Sequence, residues 1–179
     1  MALPSVTVST EPAVLARGKH LYESLGGCHG CHGANGEGGK KEVIGPVATF
    51  VYPNITSGKN GMLAQYSDAE LVRLIRHGIK RDGTGLVFMP AVDWQWWPHE
   101  DFVALVSHLR TLPAADGVPG SSEIGTLGKV LDRLDQFPID QSRRIDHTKE
   151  WEKPVIAADA KYGASIAKLC QGCHGPGLS

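Results

Sequence analysis

All four cysteines of the chain fall in two copies of one pentapeptide pattern, Cys28-His29-Gly30-Cys31-His32 and Cys170-Gln171-Gly172-Cys173-His174. Two thiols separated by two residues and followed at once by an imidazole match the attachment spacing of a c-type haem. The sulfurs add to two porphyrin vinyl groups, and the histidine reaches the iron from one face. A tight helical turn presents both sulfurs to neighbouring pyrrole edges. Zinc sites also use paired cysteines, but they do not require the adjacent histidine. A Cys-x-x-Cys redox couple belongs after a strand in a βαβ unit, a pattern this sequence lacks. The pentapeptides therefore predict haem c and its iron, with Cys28 and Cys31, then Cys170 and Cys173, as attachment points and His32 and His174 as iron ligands. His29 reads as an exposed bystander, because His32 already takes the proximal place.

A haem iron held by one histidine is either left open for chemistry or closed by a second residue. Of the three methionines, Met1 is terminal and Met62 stands in Lys59-Asn60-Gly61-Met62. Met89 lies in the short apolar loop Val87-Phe88-Met89-Pro90. A thioether there can reach the face opposite His32, with Pro90 stiffening its loop, so Met89 is the expected distal ligand and Met62 the lesser candidate. A thioether is a weak donor that favours ferrous iron and raises the potential. No methionine follows His174, and His147, His108 or His99 are the candidates for its far side.

Helices must position these groups. Thr10-Glu11-Pro12 predicts a helix start, with Thr10 as cap and Pro12 in the first turn, where a missing N–H costs nothing. Leu15, Leu21, Tyr22 and Leu25 give it an apolar side, and Gly26-Gly27 stops it just before the first motif. Glycine-rich residues 33–45 lead through Pro46 to Val47-Ala48-Thr49-Phe50-Val51-Tyr52, read as a loop around a haem edge. Ser67-Asp68-Ala69-Glu70 is a capping box opening a second helix, with Leu71, Leu74, Ile75 and Ile79 at helical spacing and Gly78 at its end. Arg73, Arg76, Lys80 and Arg81 form its outer face, solvated or docking an acidic partner. A third helix is expected from Pro98 to Leu112, with an acidic start, a buried stripe of Phe102, Leu105, Val106 and Leu109, and Pro113 ending it. Of Trp94, Trp96 and Trp97, one indole is expected to pack on the haem pocket.

From Pro113 the composition turns to Ala, Asp, Gly, Pro and Ser, a boundary signal. Leu127, Val130, Leu131 and Leu134 predict one short amphipathic helix in the connector, with the remainder through Trp151 and Pro154 extended. A helix from about Ala158 to Leu169 then delivers the second motif. Gly163 and Tyr162 stand upstream of it as Gly18 and Tyr22 stand upstream of the first. Five residues follow His174, against roughly 80 after His32 in the first unit. The expectation is that the rest of the second unit was lost, or that another chain completes it. The expected organisation is an all-α haem domain over 10–113, a linker over 114–156, and the start of a second such domain over 157–179.

A net charge of −1 gives no reason to expect nucleic acid or a polybasic membrane anchor. No stretch approaches the ~20 apolar residues needed to span a bilayer, and residues 1–5 lack a leader's basic and apolar regions. Thioether attachment nevertheless belongs outside the cytoplasm. The expected location is the periplasm or the outer face of a membrane, after loss of a leader or anchor.

The segments Asn54-Ile55-Thr56, Tyr66-Ser67-Asp68-Ala69-Glu70-Leu71, Arg81-Asp82-Gly83 and Met89-Pro90 resemble class I cytochrome c domains of dihaem and multihaem cytochromes. These include the cytochrome subunits of membrane-bound alcohol and sugar dehydrogenases. The likeness covers nearly all of residues 12–113. It implies a class I cytochrome c-like fold and redox protein donors and acceptors, among them a membrane-bound dehydrogenase or oxidase complex. It further implies that Pro46 supplies the carbonyl accepting the proximal His32 N–H, and that Tyr52, Asn54 and Thr56 lie near the haem propionates. An electron carrier is the expected function. A dihaem peroxidase with one five-coordinate iron, or a docking subunit serving a catalytic partner, are the alternatives.

Overall fold

The computed structural model describes residues 2–148, 157–175 and 177. Helix α1, Pro12–His20, is capped at Glu11 rather than Thr10. The Ser9 hydroxyl accepts from the Glu11 amide at 3.1 Å, so local turn bonding shifts the start by one residue. The helix continues as a π turn over Leu21–Leu25, and Gly27, at φ 61, reverses the chain in the left-handed region. Helix α2, Cys28–His32, is the first motif itself and is closed by Gly33 at φ 83.

The expected loop over 47–52 is instead largely strand. Strands β1, Lys41–Ile44, and β2, Ala48–Val51, form an antiparallel hairpin with Lys41 opposite Val51 and Ile44 opposite Ala48. Strand β3, Glu123–Ile124, pairs with β2 to complete a sheet in the order β1-β2-β3. Ala48, Phe50 and Tyr52 point inward, a period of two. The fold is thus mostly helical with one small sheet, not purely α.

Helix α3, Asp68–His77, has the predicted capping box: the Glu70 amide donates to Ser67 Oγ at 3.3 Å, and the Ser67 amide donates to the Glu70 carboxylate at 2.9 Å. Gly78 ends it at φ 64. Short helix α4, Ala91–Trp94, precedes α5, His99–Thr111, which starts and stops one residue inside the predicted bounds. The α1 and α5 helices cross closely at Gly18, where a Cβ would stand 2.0 Å from the Ala104 carbonyl oxygen. Arg17 bridges the same pair with a forked bond to Asp101, at 2.9 and 2.7 Å. Leu21, Tyr22, Val72, Phe102, Leu105 and Val106 form the centre of the core.

Three of the four cations of the predicted basic face have partners within the chain, although Arg81 stays largely exposed. Arg73 donates to the Lys80 carbonyl at 2.9 Å, Arg76 lies over the Phe102 ring at 5.8 Å, and Arg81 pairs with Glu70 at 3.3 Å. Long stems lying along apolar surface let these cations serve the fold.

The expected linker over 114–156 is, through residue 148, packed onto the first unit. The Ala115 carbonyl is held by Asn54, β3 joins the sheet, and Ile139 and Ile145 are buried. Helix α6, Thr126–Arg133, bears the predicted stripe, yet Leu127, Val130 and Leu134 stay exposed. The helix rests instead on Gly128, set against the Val47 carbonyl. Trp151 and Pro154 lie outside the described residues. Helix α7, Ala160–Ala167, capped by Asp159, runs through a 3-10 turn, Lys168–Cys170, into α8, Gln171–His174.

Candidate functional site

A cavity of about 450 Å³ opens beside α2, within the size range of cofactor pockets. Cys28, Cys31 and His32 line it from α2, and Met89 from the loop before α4. Phe50 and Tyr52 come from β2 and its exit, Leu71 and Leu74 from α3, and Leu105 and Leu109 from α5. Trp94 is the indole that reaches the wall, while Trp97 is buried in the core behind it.

The residues present fit a covalently held haem. The walls are mainly apolar, both thiols are free, and one imidazole is held with a defined tautomer. His32 Nδ1 donates to the Pro53 carbonyl oxygen at 2.9 Å, which leaves Nε2 with its lone pair as an iron donor. Burial also lowers the His32 pKa, against the opposing pull of that carbonyl, and so favours the neutral ring. Burial pushes the Cys28 thiol up to about 12, as expected for a sulfur set among apolar walls.

The accepting carbonyl is thus Pro53 and not Pro46. Pro46 sits in the turn between β1 and β2, where its carbonyl approaches Gly125. Strand β2 runs from that turn back toward α2, so the proline beyond the strand, not the one before it, arrives at His32. The Pro53 carbonyl follows the end of β2 and is not used by the sheet ladder, a signal the Tyr52-Pro53-Asn54 sequence carries only once the strand is known.

Tyr52 lines the cavity and its hydroxyl bonds to the Glu42 carboxylate; burial first, then that bond, raises the phenol pKa. Asn54 and Thr56 are both buried and do not line the cavity. They donate to the Ala115 carbonyl at 2.6 and 3.0 Å, and Asn54 Oδ1 accepts from the Thr56 amide at 2.8 Å. Their role is to clasp the loop after Pro53 to the chain after α5.

Met89 follows a strained residue. Phe88 has φ 70, a left-handed value that costs a non-glycine residue roughly 1–2 kcal/mol. Its amide donates to the Ile139 carbonyl at 2.9 Å, and its ring stacks on Phe50. Such strain persists where the surroundings over-determine it, often at ligand sites. Met62 also lines the cavity, from the residue before the 3-10 turn Leu63–Gln65.

The glycine that closes the second motif repeats the backbone of the one that closes the first, although Gly27 enters the first motif in the left-handed region and a right-handed 3-10 turn enters the second. Gly33 has φ 83 and ψ 166, and Gly175 has φ 72 and ψ 171. The surroundings do not repeat. Cys170 and His174 are exposed, and a Cβ at Gly163 would meet no described atom within 4 Å, where Gly18 is tightly packed. The three histidines considered for its far side are engaged elsewhere. His99 Nε2 is 3.0 Å from the Ser5 carbonyl oxygen, His108 meets the Tyr22 ring at 5.6 Å, and His147 Nδ1 is 3.2 Å from His77 Nδ1.

A search of curated proteins returned no match. The cytochrome c family profile, by contrast, matches residues 15–113, which span α1 to α5 and therefore both the attachment turn and the cavity walls. With thiols, imidazole and apolar cavity assembled inside the matched region, the chain belongs to the cytochrome c family, whose members carry electrons between redox proteins on the iron of a covalently bound haem c.

Proposed function

We propose that this cytochrome carries its first haem on Cys28 and Cys31, with His32 and Met89 as the two axial ligands. The observation that carries the reading is the convergence of α2 and the strained Phe88-Met89 loop on one apolar cavity. The haem supplies a one-electron iron couple. The chain holds the His32 ring through Pro53, presents the Met89 thioether, and keeps water from the iron with Phe50, Leu71 and Trp94. With both axial positions filled, peroxide has nowhere to bind, so a carrier is favoured over a peroxidase at this centre.

Cys170, Cys173 and His174 attach a second haem in the same reading, supported by the repeated motif and by the matched backbone of its closing glycines, Gly33 and Gly175. Thioether attachment belongs outside the cytoplasm, which supports the periplasm or the outer face of a membrane as the location. The resemblance to dehydrogenase cytochrome subunits makes a membrane-bound dehydrogenase or oxidase complex the proposed partner. Among the described residues, no helix is long and apolar enough to cross a membrane.

Absorption spectroscopy tests the ligand set. The ferrous protein is expected to be low-spin, and the ferric form to show a weak near-infrared thioether-to-iron band. Met89→Ala abolishes that band and lowers the potential, while Met62→Ala leaves both in place. Unchanged ligation and potential in Met89→Ala would overturn the assignment. The mass of the intact matured chain counts the attached haems.

A further inference from the structure

The family match ends at residue 113, yet the loop that carries Met89 is held by residues beyond it. Val87 pairs with Asp140 in an antiparallel bridge, and the Phe88 amide donates to the Ile139 carbonyl at 2.9 Å. Both residues that lead into Met89 are therefore gripped from the connector. Asp140 also fills the space over Gly85, where a Cβ would collide with its carboxylate. The 3-10 turn Gln141–Arg144 then packs on α4, which starts two residues after Met89. The grip is anchored at one side chain. Asp132, in the last turn of α6, accepts on one carboxylate oxygen from the Ile139 amide at 2.7 Å and from Arg143 at 2.6 Å. Helix α6 is itself seated on the hairpin turn, where the Gly125 amide donates to the Val47 carbonyl at 2.9 Å and Gly128 lies against the same group.

We infer that residues 132–143 are a strap that keeps Met89 in place over the cavity, with Asp132 as its positioning residue. This rests on the reading that Met89 is the distal ligand. Asp132, Ile139 and Arg143 do not line the cavity, so the strap acts only through the loop it holds. Phe88, at φ 70, sits in a conformation that a free loop would leave, and the Ile139 carbonyl retains its amide there. A small ligand reaches the distal side only when the Met89 thioether has moved off, so its apparent affinity scales with the fraction of open loop. Asp132 keeps that fraction small by fixing Ile139. The sixth ligand of the matched domain is thus secured by chain outside that domain.

The test titrates the matured, ferric full chain with imidazole and follows loss of the near-infrared thioether band, with urea midpoints taken on the same samples. Asp132→Ala is expected to bind imidazole about tenfold more tightly than the parent, the effect of losing a charge-assisted hydrogen bond that holds the closed loop. Asp132→Asn keeps an acceptor oxygen and should stay nearer the parent. Arg143→Gln removes a half-exposed cation and should give a smaller gain than Asp132→Ala. Ser67→Ala, which loses stability at the α3 cap away from the strap, should show no gain. Parent-like affinity in Asp132→Ala, or a gain in Ser67→Ala matching its lost stability, would overturn the strap. Should Asp132→Ala yield no matured protein, Arg143→Gln decides, and an unchanged affinity there overturns the proposal. Met89→Ala separates the two readings. Unchanged ligation in Met89→Ala removes the ligand assignment and the strap with it, whereas a lost band there beside an indifferent Asp132→Ala removes the strap alone.

Discussion

The Phe88 ring stacks on the Phe50 ring at 3.9 Å, with their planes 15° apart. Phe50 lies in the centre of β2 and Phe88 immediately precedes Met89, so the hairpin on one side of the cavity fixes the loop on the other. The stack offsets the cost of holding Phe88 at a positive φ. Aromatic pairs of this kind add about 0.5–1.5 kcal/mol beyond the area they bury. Phe50→Leu is expected to destabilise the protein by about 1 kcal/mol through the lost stack. It should also weaken the near-infrared thioether band without displacing His32. Denaturant titration and absorption spectra of the same sample check both effects; an unaltered band would separate the stack from the Met89 position.

The Arg17–Asp101 fork joins α1 to α5 with the carboxylate almost wholly enclosed, at 6% side-chain exposure. Arg17→Met leaves that carboxylate without its cation, a change that costs about 3–5 kcal/mol when a buried pair is broken. Replacing both residues, as Arg17→Met with Asp101→Leu, is expected to recover most of the loss. Urea midpoints of the single and double variants provide the comparison.

Ser67→Ala removes the capping hydroxyl of α3 and is expected to cost about 1 kcal/mol. The Glu70 pKa is lowered first by the Ser67 amide, then by the Ser67 hydroxyl. A carboxylate with a depressed folded-state pKa stabilises above its unfolded pKa, and that contribution is lost as pH falls through the folded value. The gap between parent and Ser67→Ala should therefore shrink in acid. Chemical denaturation at neutral and at acid pH measures it.

Burial, aided by Arg76 and His147, lowers the His77 pKa to about 4. The unfolded chain takes up a proton near the ordinary histidine value of about 6.5, while the folded chain refuses it. Stability from this group is whole above about 6.5, falls as pH drops toward 4, and is level below that. His77→Asn should flatten that part of the profile. Midpoints taken at several pH values across this window, parent against variant, decide it.

The helical frame of the site was legible because its signals are local. Ser67 and Glu70 stand three apart, Pro12 and Pro98 mark starts, and each cysteine pair carries its histidine next door. The hairpin was not. The inward residues Ala48 and Phe50 alternate with Val47, Thr49 and Val51, so polarity gives little contrast, and the charged strand β1 shows no alternation. That missed strand also explains the proline. The resemblance implied Pro46, whereas a strand folding back from a turn brings Pro53 to His32. Asn54 and Thr56 were expected near the propionates, but they do not line the cavity, and their partner, the Ala115 carbonyl, lies about sixty residues downstream, beyond the reach of periodicity. The connector misled for a related reason: its Ala, Gly, Pro and Ser content signals irregular backbone, and irregular backbone can still be packed, as Ile139 and Ile145 are.

The cavity beside α2 also constrains the order of events in biogenesis. The cavity is an open cleft with mainly apolar walls, so filling it takes apolar surface out of water and stabilises the folded chain. A polypeptide that folded ahead of its pigment would leave those walls facing water. The maturation machinery should meet a loose chain with its thiols accessible, and ligation becomes the event that commits it to the native state.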